Sequence, residues 1–451
     1  MIQYIYIISL IPLYYFIYKL SIFFSKNKTI NPLFSVFIGI IFFIIFPLTI
    51  IVFNNGYIAP FYFGIEGNWG NIILNFKTLY PFYIIYITLL FIFLFFIEFK
   101  NKILLFDYKL YKCLHSLKLK KLKKLILILF LFYSLIVIYF IIKSGGIYKY
   151  FLLAFYERQN IIIHNELLYL ILNAIEGSIK ILLVAISLLF INVLYSQRKR
   201  DILFILFIFI IQLIIVLTTG NRIYFVILFV FTTALAFMYK NWKYFFNSIL
   251  LIPIIFIFMM LWTFVRNNLL ESINILDKYS NLFDVNSMIT NLLTAVEGMN
   301  IIVLFHIIQD FGIKYQYLYG LSYFKLIVFF IPRFIFPNKP INFTTYIAEL
   351  YEPNSIGFSL NSTILGEMYA NIGFFTVVFF PFIIFILLFL LCKIIKNKSN
   401  IIIIYLLSVN SFWLIRGTIP EIFISIIMAI IFLKGLNFEK NLFYTTFINK
   451  L

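Results

Sequence analysis

The sequence predicts an all-α integral membrane protein, a polytopic bundle of about eleven transmembrane helices with one large, partly helical extracytoplasmic loop. Three observations predict it. Hydrophobic residues make up 64% of the 451 and charged residues only 12%, against about 45–50% and about 25% in water-soluble chains. The apolar residues fall in runs of near-continuous Ile, Leu, Phe and Tyr, roughly 17 to 25 residues long, the length a helix needs to cross about 30 Å of hydrocarbon. The cations gather between alternate runs. A soluble fold of this size lacks the polar atoms to cover itself, and with 17 Gly, 12 Pro and 21% aromatic residues the fibrous and disordered classes are excluded as well.

The first span covers 2–18. No basic stretch precedes it and lysines follow it, so it reads as a retained helix and not as a cleaved signal peptide. Spans over 32–53, 79–97, 125–142 and 168–195 come next. Further spans cover 202–217, 223–239, 245–265, 372–392, 401–414 and 419–433. Glu176 and Lys180 fall within the fifth span, four apart on one helix face, where they can pair. Two segments are longer than a connector requires. One is 143–167, with Gly145, Gly146, Arg158 and His164. The other is 266–371, which carries most of the polar chemistry and is apolar enough to be ordered. Within it, 292–308 is interrupted by Glu297 and His306, and 322–336 by Lys325, Pro332 and Arg333, with Pro337 just beyond. Both read as interfacial or re-entrant segments; if both cross, the count becomes thirteen and the parity is unchanged.

The net charge of +19 fits the same topology. Lys19, Lys26 and Lys28 follow the first span, nine lysines lie between Lys100 and Lys124, and Arg198, Lys199 and Arg200 follow the fifth. Lys240, Lys243, Lys393, Lys396, Lys398, Lys434, Lys440 and Lys450 fall on the same face, where only Glu98, Asp107, Asp201 and Glu439 oppose them. The positive-inside rule assigns that face to the cytoplasm, with the amino terminus outside and the carboxyl terminus inside. The charge is thus a topological signal, and nucleic acid is not an expected partner. Cys113 and Cys392 lie on cytoplasmic loops or helix ends, so a disulfide framework is not expected.

No phosphate-binding glycine loop, dinucleotide turn or His-Glu-x-x-His helix occurs, no Asp-x-Asp pair offers a divalent metal site, and the chain has three histidines, His115, His164 and His306. No cofactor and no metal are expected. What stands out is a set of arginines at the outer ends of separate spans: Arg222 after Gly220-Asn221, Arg266, Arg333 after Ile331-Pro332, and Arg416 before Gly417. Any one of them can be an interfacial anchor. Together they suggest a pocket for an anionic headgroup such as the diphosphate of a lipid carrier, because the guanidinium stays charged and its donor fork matches phosphate oxygens.

Three stretches carry a resemblance. Tyr319-Gly320-Leu321-Ser322-Tyr323, then 331–340 with Ile331-Pro332-Arg333 and Pro337-Asn338-Lys339-Pro340, then Gly366-Glu367-Met368-Tyr369-Ala370-Asn371-Ile372-Gly373 resemble the oligosaccharide repeat-unit polymerases of the O-antigen (Wzy) type. Gly220-Asn221-Arg222 and Arg416-Gly417 are similar to further short motifs of such chains. Motif-level similarity covers about 55 residues, and one departure is Phe336, where many members have Trp. The resemblance implies a transferase of a bacterial cytoplasmic membrane that works at the outer leaflet. It would move a growing glycan from a polyprenyl diphosphate carrier to a lipid-linked repeat unit, with room for a separate chain-length regulator as partner.

The residue types suit that chemistry on their own terms. Cleaving an anomeric bond to diphosphate builds charge on the leaving group, which fixed guanidinium donors stabilise without a metal. The diphosphate-binding candidates are Arg222, Arg266, Arg333, Lys339 and Arg416. The acceptor hydroxyl needs a proton acceptor, for which Glu367 is the first choice, with His306 and Glu349 behind it. Pro332, Pro337 and Pro340 would keep Arg333 and Lys339 in an irregular segment. Tyr319, Tyr323 and Tyr369 are candidates for stacking on sugars. Two alternatives use the same lipid-linked sugars: a flippase or exporter, which would need charge lining several spans, and a ligase-like transferase, which would make one transfer to another acceptor.

Overall fold

A computed structural model describes residues 2–26, 28–54, 75–147, 149–150, 167–199, 201–219, 223–242, 245–247, 299–329, 331, 335–336, 338–351, 359–383, 386 and 401–435. Among them there is no strand, only an isolated bridge between Phe311 and Tyr315. The helices are α1 (Ile2–Ser25), α2 (Pro32–Phe53), α3 (Phe76–Glu98), α4 (Lys100–His115), α5 (Leu119–Ser144), α6 (Leu167–Ser196) and α7 (Ile202–Thr219). They continue with α8 (Ile223–Met238), α9 (Met299–Asp310), α10 (Leu321–Val328), α11 (Phe343–Tyr351), α12 (Thr363–Ile383), α13 (Ile401–Arg416) and α14 (Ile419–Gly435). Six of these, α1, α2, α3, α5, α6 and α12, are long and apolar enough to cross a membrane, and α7, α8, α9, α13 and α14 are shorter apolar helices. The architecture is that of an all-α membrane protein.

Helix α6 is the central post. Nearly every side chain from Ile179 to Leu194 is buried, as a helix apolar on all faces must be when neighbours surround it, and α4, α5, α7, α8, α13 and α14 pack around it. Helices α2 and α13 approach most closely at Gly39, where an added Cβ would stand 2.9 Å from Ile415 and 3.2 Å from the Phe412 carbonyl; a small residue there lets two backbones meet. A π-turn at Ile41–Ile45 precedes Pro47 in α2, and it accommodates the missing proline N–H. Large apolar side chains face outward from α1, α5 and α7, among them Ile8, Ile11, Leu131, Leu135, Leu203 and Leu206.

Two departures from the sequence reading concern boundaries. Residues 100–115, expected as a lysine-rich connector, form α4. Its buried face is Ile103, Asp107, Leu110 and Leu114, while Lys100, Lys102, Lys109 and Lys112 are exposed. Asp107, expected as a charge opposing the lysines, is buried and accepts hydrogen bonds from Thr29 Oγ1 (2.8 Å) and Asn31 Nδ2. Asn31 in turn caps α2 by accepting from the Phe34 N–H at 2.7 Å. Further polar contacts close this lysine-rich end: Tyr239 Oη donates to the Lys28 carbonyl (2.9 Å) and to Asn192 Oδ1 (3.1 Å), and Lys123 pairs with Asp201. The second departure concerns the span expected from residue 372: helix already begins at Thr363, with Glu367 and Asn371 in its first part, Thr363–Ile372, and a break at Gly373 (φ +57°) separates that part from the apolar turns up to Ile383. The expected span 245–265, the later part of 372–392 and residues 266–298 of the expected loop lie outside the described residues, apart from 245–247 and 386. Of the stretches 292–308 and 322–336, the described residues form α9 and α10, of 12 and 8 residues, about 18 and 12 Å of helix.

The Glu176–Lys180 pair is present, with Nζ 3.1 Å from Oε1, and both residues are buried, at 5% and 9% exposure. It is therefore held within protein and not at a wet interface.

Candidate functional site

The site lies at the end of the bundle away from the lysines. Tyr80 marks that end on α3, and Glu98, 18 residues on, stands about 27 Å away beside Lys100. Tyr6 ties α1 to the same end through Thr78 Oγ1 (2.7 Å) and the Asn75 carbonyl (3.0 Å).

Glu367 is the hub. Its residue is wholly buried at 0% exposure, and both carboxylate oxygens are engaged. Oε1 accepts from Ser322 Oγ of α10 at 3.0 Å, and Oε2 accepts from the backbone N–H of Ile419, the first residue of α14, at 2.7 Å. A helix start leaves its first N–H groups without intrahelical partners and carries partial positive charge, so a carboxylate there is both a cap and a counter-charge. One turn on, Asn371 donates through Nδ2 to Ser322 Oγ (2.9 Å) and to the Glu367 carbonyl (2.7 Å), and its Oδ1 accepts from the Gly320 N–H (2.9 Å). Two backbone bonds reinforce the join, Leu318 N–H to the Ala370 carbonyl at 2.8 Å and Tyr319 N–H to the Asn371 carbonyl at 3.2 Å.

The third segment is the hairpin between α13 and α14. Arg416 sits half-buried in the last turn of α13, where a cation complements the helix dipole. Thr418-Ile419-Pro420-Glu421 has the capping-box pattern, and the Thr418 and Glu421 side chains are hydrogen-bonded. Lys325 of α10 acts electrostatically on both Glu367 and Glu421, and Arg416 on Glu421. Among the described residues, Lys325 and Arg416 are the cations that act on these two carboxylates.

The motif glycines have local causes. Gly373 has φ +57°, and a Cβ there would stand 2.8 Å from the Tyr317 ring; Gly312, at φ +87°, meets the other side of the same ring. Only glycine accommodates both the backbone and that contact. At Gly366 a Cβ would collide with the Ser362 side chain. Thr363, which opens α12, has φ +64°, a strained conformation for a β-branched residue.

The remaining candidates divide as follows. Lys339 donates from Nζ to the carbonyls of Phe329 (2.6 Å) and Ile331 (3.1 Å), so its ammonium staples the segment leading to Arg333. His306 lies half-buried on α9, its ring 6.3 Å from that of Tyr351. Burial pulls its imidazole below the ordinary value, against the pull of Asp310. Glu349 is exposed on α11. Arg222, Arg266 and Arg333 lie outside the described residues, as do Pro332 and Pro337. The first residue of α8, Ile223, is buried, and the next ring, Tyr224, packs 5.6 Å from Trp413, one turn before Arg416. The start of α8 therefore lies beside the end of α13.

Sequence reasoning passed over Lys325 as a site residue and missed Glu421, Thr418 and Tyr80. The capping box over 418–421 was a readable signal for two of them. In comparison with known proteins, the chain matches no family model, no curated protein and no solved structure.

Proposed function

We propose that this chain polymerises lipid-linked oligosaccharide repeat units at the outer side of a bacterial cytoplasmic membrane, which it crosses eleven times. It acts as a metal-independent glycosyltransferase that moves glycan from a polyprenyl diphosphate carrier to a lipid-linked acceptor. One observation supports the reading: two of the three stretches of the resemblance, around Ser322 and Glu367, meet in one polar cluster with the hairpin that follows the Arg416-Gly417 motif. Glu367 bonds directly to Ser322 and Ile419, partners 45 and 52 residues away in sequence. Such a cluster among apolar helices is costly unless fully satisfied.

In this reading the leaving diphosphate is held by guanidinium groups, Arg416 of the cluster together with Arg222, Arg266 and Arg333. Together these guanidinium groups would supply the positive charge that a leaving diphosphate requires. Glu367, with both oxygens engaged, acts as the brace that joins α10, α12 and α14. His306 and Glu349 are the residues left to accept the proton of the attacking hydroxyl. Lys339 holds the Arg333 segment instead of touching phosphate.

The test is purified protein mixed in detergent with lipid-linked repeat units, where there are no sides to cross. The expected result is a ladder of lengthened glycans on the lipid carrier, unchanged by a metal chelator. Unextended substrate would remove the polymerase reading, and a single transfer to a different acceptor would favour a ligase.

A further inference from the structure

Several tyrosines cluster beside Asn371, and they differ in what they present. Tyr369 is buried, and Tyr323 is half-buried and hydrogen-bonded to Asn371, so neither offers a free ring face. Tyr319 is 82% exposed, although it is a large aromatic residue. It also holds φ +48°, followed by Gly320 at φ +91°. A non-glycine residue in the left-handed region costs roughly 1–2 kcal/mol and persists only where the surroundings impose it. Here Asn371 imposes it, accepting from the Tyr319 N–H with its carbonyl and from the Gly320 N–H with its side chain. The same Asn371 side chain bonds Ser322, which bonds Glu367. The turn that displays Tyr319 is therefore fixed to the polar cluster through one residue.

Behind Tyr319 stand further rings. Tyr317 lies 6.3 Å from Tyr319 and 6.3 Å from Tyr369, in edge-to-face geometry, and it is gripped between Gly312 and Gly373. Tyr369 shares hydrogen bonds with the hydroxyls of Tyr80 (3.0 Å) and Tyr317, and Tyr80 is half exposed. The result is a connected set of tyrosines in which Tyr319 presents the exposed ring. A pyranose presents one face of C–H groups, which are apolar and weakly positive, and a rim of hydroxyls. A tyrosine face is negative, and its hydroxyl both donates and accepts.

We propose that Tyr319, backed by Tyr317 and Tyr80, is a stacking platform for a sugar ring of the lipid-linked glycan next to the Glu367–Asn371 cluster. The proposal rests on the polymerase reading for the identity of the glycan, but it concerns binding alone. It assigns the display of Tyr319 to the substrate and not to anchorage in lipid headgroups.

The probe is the oligosaccharide released by mild acid from the lipid-linked repeat units of the cells that make this protein. It is followed by saturation-transfer NMR on detergent-solubilised wild type, Tyr319→Phe and Tyr319→Asn. Asparagine tolerates the left-handed conformation, so it removes the ring without adding backbone strain. Wild type and Tyr319→Phe should transfer saturation to the C–H protons of one sugar, and Tyr319→Asn should weaken binding about tenfold, the equivalent of ~1.4 kcal/mol. Undiminished transfer in Tyr319→Asn, loss in Tyr319→Phe equal to that in Tyr319→Asn, or no transfer in wild type would each overturn the platform. Glycan lengthening by wild type with unchanged binding in Tyr319→Asn sinks the platform and leaves the polymerase standing. Ring-dependent binding without lengthening does the reverse.

Discussion

If the chain lengthens glycans as proposed, Glu367→Ala is expected to abolish lengthening, whereas Glu367→Gln should keep turnover within about tenfold of wild type. Alanine would leave the Ile419 N–H and the Ser322 hydroxyl buried without their acceptor, at about 1–3 kcal/mol each. It would also release α10 from α14, so the variant should melt earlier in detergent. Glutamine has the same shape. Its carbonyl can take the Ile419 N–H while its amide donates to Ser322 Oγ, which still has a lone pair free beside the Asn371 contact. The pair of variants separates a brace from a proton acceptor, because a general base replaced by its amide loses the chemical step while the fold persists. Inactive but normally melting Glu367→Gln would return Glu367 to the catalytic role that its place in the sequence suggests.

The second large effect falls on Arg333. Arg333→Ala should lower chain extension by about 10²-fold or more, the usual consequence of removing a fixed donor to a developing oxyanion, while the protein inserts at normal levels. Arg333→Lys should remain poor, since an ammonium cannot make the paired contacts of a guanidinium. Lys339 sharpens the contrast. Its ammonium spends two of its three donors on the Phe329 and Ile331 carbonyls, so it is the weaker of the two candidates for the diphosphate. Long product from Arg333→Ala would take this residue out of the site.

How far the sequence could be read depended on whether a residue's partner was local. Helix α2 was legible to its ends because Asn31 and Pro32 form a start signal and the run to Phe53 is unbroken. Helix α4 was not, because its lysines read as a solvated connector and Asp107, buried beside Ile103, Leu110 and Leu114, looks like one more charge among them. The start of α12 was hidden for a related reason. Glu367 and Asn371 lower the hydropathy of the helix, and what makes them tolerable is Ser322, Gly320 and Ile419, all far away in the chain. Gly373 could be recognised as part of a motif, but the Tyr317 ring that requires it could not. The cap at Thr418 to Glu421 was local and readable, and attention to arginines obscured it. Lys325 and Glu421, which act electrostatically on Glu367, are far from it in the chain and could not be assigned to a site by counting charges.

Arginines widely separated in the chain are proposed to share one anionic ligand, and the measurement that bears on this most directly is an experimental structure of the full chain with a polyprenyl diphosphate bound. The expected result is diphosphate oxygens within about 3 Å of the guanidinium groups of Arg333 and Arg416, with Arg222 and Arg266 lining the same cavity beside Lys325. Diphosphate bound elsewhere, with these four side chains directed apart into bulk solvent, would contradict it.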